Sequence, residues 1–256
     1  MNSFNELPLE FDFLELGQTY HVISDVTRLT RGALRNHEKF DPDAFITSLQ
    51  KKVTDKGTLL FPTFCYGFCK GETFDVNNTP GVVGVLGNVA RQREDFIRTS
   101  HATHSFAVWG AKKGFFDGKD YKDAFGAGSI FADLVAMKAK VLVIDLENTM
   151  SGMTLMHHAE QMVGVPYRYN KVFTDPYIER DGRQQVRSYN MYVRDLKADP
   201  RDHSEQLCPI IRELGIAKDY FVRDIRFTVV DMAQLYEVIC MDILNNDSAH
   251  LYDYNH

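Results

Sequence analysis

The chain has 256 residues, 44% of them hydrophobic and 25% charged, with a formal net charge of −6. That length supports one large domain or two small ones, with a core that needs neither disulfides nor a structural metal. The acidic balance argues against a general nucleic-acid binder, whose surface is basic.

The first residues, Met1 to Glu6, lack the basic and apolar segments of a secretory leader, so none is expected. Residues 18–26 (QTYHVISDV) read as a strand ending in polar residues. Asp41-Pro42 opens a helix over 41–54, with Phe45, Ile46, Leu49 and Val53 at helical spacing. Asp55-Lys56-Gly57 turns the chain into a second strand, Thr58 to Pro62. This β-α-β rhythm predicts an α/β fold: a layered α-β-α core on a mainly parallel central sheet. Residues 65–81 read as a long loop, 82–93 as a helix and 106–109 as a short strand. Ser129 caps a short helix to Met137. Lys140 to Asp145 is the clearest buried strand and leads into a helix beginning near Thr154. Beyond about 170 a β-hairpin is expected over 171–195, with Asp181-Gly182 at its turn, then helices over 203–214 and 231–245. Nothing divides the chain, so 1–256 reads as a single domain. No apolar run approaches the roughly 18–20 residues that span a bilayer, and no membrane or nucleic-acid partner is expected. A reducing cytoplasm is the simplest setting. Cys65, Cys69, Cys208 and Cys240 form no C-x-x-C pair and read as free thiols.

Two polar clusters carry the chemistry. Thr154-Leu155-Met156-His157-His158-Ala159-Glu160 places His157 and Glu160 three apart on one helix face, just past the carboxyl end of a buried strand. An imidazole can take a proton near neutral pH, and a nearby carboxylate fixes its tautomer. Taken alone, the pair is equally a satisfied core histidine beside a surface charge. His158 points about 100° away and reads as packing. The second cluster, Arg98 to Ser105, holds His101 and His104. His101, His104, His157 and Glu160 are acceptable zinc ligand types, which leaves a metal-dependent hydrolase open, although no H-E-x-x-H spacing exists. Ser105 as a nucleophile lacks the G-x-S-x-G elbow. No phosphate loop and no dinucleotide-binding glycine motif is present.

In order along the chain, the clusters resemble the aminoglycoside 3-N-acetyltransferase family. The matching segments are Gly57-Thr58-Leu59 through Pro62-Thr63-Phe64, Phe74-Asp75 with Thr79-Pro80 and Gly84, Arg98 through Ser105, Phe125-Gly126-x-Gly128-Ser129, and Thr154-x-x-His157-x-x-Glu160 followed by Val165-Pro166-Tyr167-Arg168. Ala102 stands where the family usually has proline. The similarity covers about 15–170, the implied coenzyme-binding core, and leaves 171–256 to choose the acceptor. It implies acetyl-CoA as co-substrate, no metal, and direct transfer to an amine without a covalent enzyme intermediate. His157 would be the base, Glu160 its orienting partner, and a C-terminal carboxylate, taken as Asp195, an assistant. Ser24, Gly84, Val85, Ser105 and Thr154 would line the coenzyme channel, with His101 and His104 beside it. Backbone N–H groups or the Thr154 hydroxyl would stabilise the oxyanion.

The acceptor is read from charge. Residues 168–201 hold Arg168, Lys171, Arg180, Arg183, Arg187, Arg194, Lys197 and Arg201, an excess that suits a diphosphate. Arg168 and Arg187, Tyr189 as a ring to stack on a base, and Asp75 of the family-like Phe74-Asp75 segment are expected at the acceptor. A nucleotide-linked amino sugar, of the kind used in surface-polysaccharide assembly, is the first expectation. An aminoglycoside antibiotic is the second, and a non-catalytic coenzyme-binding protein is a further alternative. A homodimer is only the default for a soluble protein.

Overall fold

The computed structural model describes residues 3–255, so Met1 and Asn2, the start of the stretch read for a leader, lie outside the described residues. The elements run β1 (Thr19–Ser24), α1 (Thr27–Arg35), α2 (Pro42–Val53), β2 (Thr58–Pro62), β3 (Phe74–Asp75), α3 (Val85–Ala90), β4 (Ile97–Arg98), β5 (Phe106–Gly110) and α4 (Lys113–Asp117). They continue with α5 (Ile130–Ala136), β6 (Lys140–Ile144), α6 (Leu155–Val163), β7 (Arg168–Ile178), β8 (Gln184–Arg194), β9 (Arg201–Asp202), α7 (Leu207–Glu213), β10 (Ala217–Val222), β11 (Ile225–Asp231), α8 (Met232–Asn246) and β12 (Tyr252–Asp253).

The main sheet has the order β10-β11-β6-β1-β2-β5-β4. Its centre, β6-β1-β2, is parallel, as the β-α-β rhythm predicts. Both flanks are antiparallel: β11 joins β6 on one side and β5 joins β2 on the other. The sheet is therefore mixed, with its parallel part confined to three strands.

Strand alternation builds the two cores. Tyr20, Val22, Leu59, Phe61, Leu142 and Ile144 pack on one face with Leu29, Phe45, Ile46 and Leu49 of the first two helices. Ile23, Leu60, Val141 and Val143 pack on the other with residues of α5, α6 and α8, including Phe131, Leu155, Leu235 and Ile239. Asp41 caps α2 as expected, accepting from the Asp43 amide at 2.9 Å. Ser129 and Asp231 cap α5 and α8 in the same way.

Two loop regions differ from expectation. The helix predicted over 82–93 is cut to Val85–Ala90. The Val82 amide is bound to Phe64 O at 2.7 Å, and Gly84 has φ +68°, so the helix starts only after them. At Gly87 the helix presses on β2 so closely that a Cβ would lie 2.0 Å from Pro62 O. The loop over 65–81 contains a 3₁₀ turn, Phe68–Lys70, and β3, which extends the long β7-β8 hairpin into a three-stranded sheet. Phe68, Phe74, Tyr177 and Tyr189 form a small core beneath that sheet. A two-stranded ribbon, β9 with β12, joins the C-terminal segment to the region after the hairpin.

Candidate active site

The carboxyl ends of β1, β2 and β6 open onto one groove, the usual ligand position of an α/β sheet. Its middle section, about 280 Å³, is walled by Val22, Ile23, Phe61, Phe64 and Leu86, with Ser24, Gly84, Gly152 and Thr154 along its rim. Ser24, Gly84 and Leu146 also border an outer hollow that takes in Val85 and Asn88. At the other end Ser151, Gly152 and Thr154 pass into a smaller cleft lined by His157, Arg194, Asp202, Ser204, Glu205 and Tyr252. A Cβ at Gly84 or Gly152 would meet nothing within 4 Å, and both have positive φ. Backbone therefore borders open space at two points. An apolar slot rimmed by bare backbone fits an extended acyl-carrying thioester such as acetyl-CoA. Ser24, Gly84, Val85 and Thr154 all border this groove or its outer hollow.

His157 lines the cleft, three residues along the chain from Thr154, which borders both groove and cleft. Its Nδ1 is 2.7 Å from Glu160 Oε2; the Glu160 side chain is fully buried, while that of His157 is 23% exposed. A carboxylate only accepts, so Nδ1 carries a proton in this contact, and in the neutral ring Nε2 is the nitrogen with the lone pair. Arg168 Nε forms a 2.9 Å ion pair with the same Glu160 oxygen, and Tyr167 donates to Oε1 at 3.2 Å. The carboxylate is thus held from three sides, and the imidazole can accept a proton without leaving its place. His158 packs as expected: Nδ1 meets Phe125 O, and the ring stacks on Tyr236.

Several expected site residues lie elsewhere. Asp195 accepts from the Lys197 amide at 2.9 Å in the turn after β8, and does not line the His157 cleft. The carboxylates that do are Asp202 and Glu205. Arg168 is buried and holds Glu160, Tyr192 O and the Tyr252 hydroxyl, so it cannot face an acceptor. Arg187 pairs with Asp120 and Glu179 beneath the hairpin. Tyr189 is buried and donates to Ser100 O. Asp75 accepts from the Asn77 and Asn78 amides and folds its own loop. None of these residues lines the groove or the cleft. The Thr154 amide and hydroxyl both donate to Gly152 O, which leaves neither directed at an oxyanion.

The Arg98–Ser105 cluster is architectural in this geometry. Arg98 is buried and donates to Ser105 Oγ, Val76 O, Thr79 O and Thr63 O. Ser105 is fully buried and bonded to Thr63 and Arg98 rather than to a histidine. His101 Nδ1 accepts from the Thr103 and His104 amides. The Thr103 hydroxyl lies 3.2 Å from His101 Nδ1 and 2.9 Å from His104 Nδ1. Phe125 stands between His104 and His157, with ring centroids at 4.7 and 5.2 Å. The metal reading needed these histidines to converge. Among the described residues no group of three ligating side chains could hold an ion.

Burial pushes His21 and His101 down to about 3, and pushes His104 well below its ordinary value near 6.5. Their folded values lie below their unfolded ones, so the unfolded chain binds more protons between. For His21 and His101 the stabilisation is complete above about pH 6.5 and is lost as pH falls toward 3, at roughly 1.4 kcal/mol per pH unit each, and His104 acts in the same direction. Urea unfolding should show a steep loss of stability between about pH 7 and pH 5. A flat profile would contradict this account.

The family model for aminoglycoside 3-N-acetyltransferase matches residues 33–241. No curated protein matches the sequence. Among solved structures the chain is similar to aminoglycoside acetyltransferase AAC(3)-Xa (21% identity, 94% of this chain and 92% of that one, TM-score 0.76). It is also similar to AAC-IIIb, solved with CoASH (20%, 96% and 97%, 0.75), and to AAC-VIa bound to sisomicin (16%, 96% and 98%, 0.73). No helix among the described residues is long and apolar enough to cross a membrane. The chain belongs to the aminoglycoside 3-N-acetyltransferase family and is an acetyl-CoA-dependent N-acetyltransferase.

Proposed function

We propose that this N-acetyltransferase acetylates an amino group of a polycationic aminoglycoside, with His157 as general base and Glu160 as the group that orients it. The observation that carries the acceptor reading is the charge of the cleft beside His157. Asp202 and Glu205 line it against a single guanidinium, Arg194. A polyamine finds an excess of carboxylates there, whereas a diphosphate would meet repulsion. Three of the cations that favoured a nucleotide-linked sugar are committed away from the cleft: Arg168 to Glu160, Arg180 to Asp117, and Arg187 to Asp120 and Glu179. The sisomicin-bound relative supports the same class of acceptor.

Acetyl-CoA supplies the activated acetyl group when bound in the groove bordered by Ser24, Gly84, Gly152 and Thr154. The acceptor amine arrives largely as ammonium, which has no lone pair. Nε2 of His157 takes one of its protons, directly or through a water, and the resulting imidazolium is stabilised by the buried Glu160 carboxylate 2.7 Å from Nδ1. Arg168 and Tyr167 keep that carboxylate from turning away.

Neutralising Asp202 and Glu205 together (Asp202→Asn, Glu205→Gln) should raise KM for an aminoglycoside about tenfold or more, while KM for acetyl-CoA stays unchanged. Steady-state kinetics at low and high salt measures this. Unaltered acceptor KM would refute the acidic-cleft assignment.

A further inference from the structure

The C-terminal segment reaches the catalytic pair from behind. After α8 the chain takes two successive left-handed residues, Asp247 (φ +53°) and Ser248 (φ +64°). The turn is fixed by Asp242, whose backbone oxygen accepts from the Ser248 amide and whose carboxylate takes the His250 amide, the His250 ring and the Asn246 side chain. Ser248 is thereby driven inside, 1% exposed, with Oγ 3.1 Å from the Tyr167 hydroxyl. Tyr167 has one proton and spends it on Glu160 Oε1, so Ser248 completes the chain by donating to Tyr167. Four residues on, the Tyr252 hydroxyl accepts from Arg168 Nη2 at 3.1 Å. Its ring lies against both Arg168 and Tyr167, with distances of 5.5 and 5.2 Å. Tyr252 also belongs to β12, which pairs with Asp202 on β9 in the cleft wall.

We infer that Ser248 and Tyr252 are positioning residues for acetyl transfer: the C-terminal segment holds both partners of the Glu160 carboxylate, and through it sets the orientation and basicity of His157. One hydrogen-bond chain runs Ser248 to Tyr167 to Glu160 Oε1. On the other side the Tyr252 hydroxyl takes a hydrogen bond from Arg168, which is ion-paired with Glu160 Oε2, the oxygen His157 uses. The Tyr167 hydroxyl and the Arg168 charge each offset negative charge on the carboxylate. Loosening either one leaves more charge facing the imidazole and favours imidazolium over the neutral base. The inference rests on the base role proposed for His157, so its test has one arm that needs no turnover.

The variants are Ser248→Ala, Tyr252→Phe and the double substitution, each confirmed as folded by circular dichroism. In the free protein, the His157 ring is titrated by NMR. Its midpoint should move to higher pH in each single variant and furthest in the double. In the kinetic arm, kcat of the double variant should fall about tenfold. The acid limb of the pH–kcat/KM profile should shift in the same direction, with KM for acetyl-CoA unchanged. A His157 titration identical to wild type in both single variants overturns the inference, whatever the activity. A shifted titration in a wild-type background that transfers no acetyl group would instead overturn the proposed reaction and leave the positioning intact. Because the two substitutions act on opposite oxygens of Glu160, a folding failure in one leaves the other to decide.

Discussion

Replacing His157 with alanine should lower kcat for acetyl transfer by about 10²–10⁴-fold, with acetyl-CoA affinity largely retained. The imidazole lines the cleft and is not among the residues walling the middle of the groove. Among the residues lining the cleft, the other titratable side chains are Arg194, Asp202, Glu205 and Tyr252. The tyrosine is pushed up to about 12 by burial, and the arginine has no proton-accepting form at working pH. Thiol release under saturating acetyl-CoA, paired with calorimetric coenzyme binding, separates the two effects. Wild-type turnover in this variant would remove His157 from the mechanism.

The second large effect is at Glu160. Glu160→Gln keeps the shape but leaves the buried Arg168 guanidinium, whose side chain is 4% exposed, without its counter-charge. Removing one member of a buried pair costs about 3–5 kcal/mol. The amide can also donate to His157 Nδ1, which would put the ring proton on Nε2 and abolish its basicity, so kcat should fall by roughly 10² or more. Denaturant unfolding and turnover measured on the same preparation check both consequences. A stability change below about 1 kcal/mol would mean that the Arg168–Glu160 pair is not the buried unit described.

What was legible in the sequence was local. His157 and Glu160 are three residues apart on one helix, so their meeting needs only helical geometry. Asp41-Pro42, Ser129 and Asp181-Gly182 announced two helix starts and a hairpin turn through their own backbone chemistry. The apolar runs of β1, β2 and β6 announced the parallel centre of the sheet. What was not legible depends on distant pairing. Arg168 is a charge on a strand, and only the packing of that strand against α6 turns it from a surface cation into the partner of Glu160. Asp195 ends a strand in a suggestive position, but the carboxylates in the cleft are Glu205 and Asp202, the latter placed by pairing with Tyr252 some fifty residues later. No local periodicity records that contact. The cations of 168–201 were visible as a count, but the commitment of Arg168, Arg180 and Arg187 to Glu160, Asp117, Asp120 and Glu179 was not. Tyr167 stood in the V-P-Y-R segment, and its full burial was the unread signal of its bond to Glu160.

The most direct measurement is coenzyme A thiol release by the purified protein with acetyl-CoA and two acceptor panels. One holds aminoglycosides such as sisomicin, and the other holds nucleotide-linked amino sugars. The account predicts turnover with the aminoglycosides, loss of that turnover in His157→Ala, and little with the diphosphate-bearing sugars. Turnover confined to the nucleotide-linked sugars, or thiol release that survives the loss of His157, would contradict it.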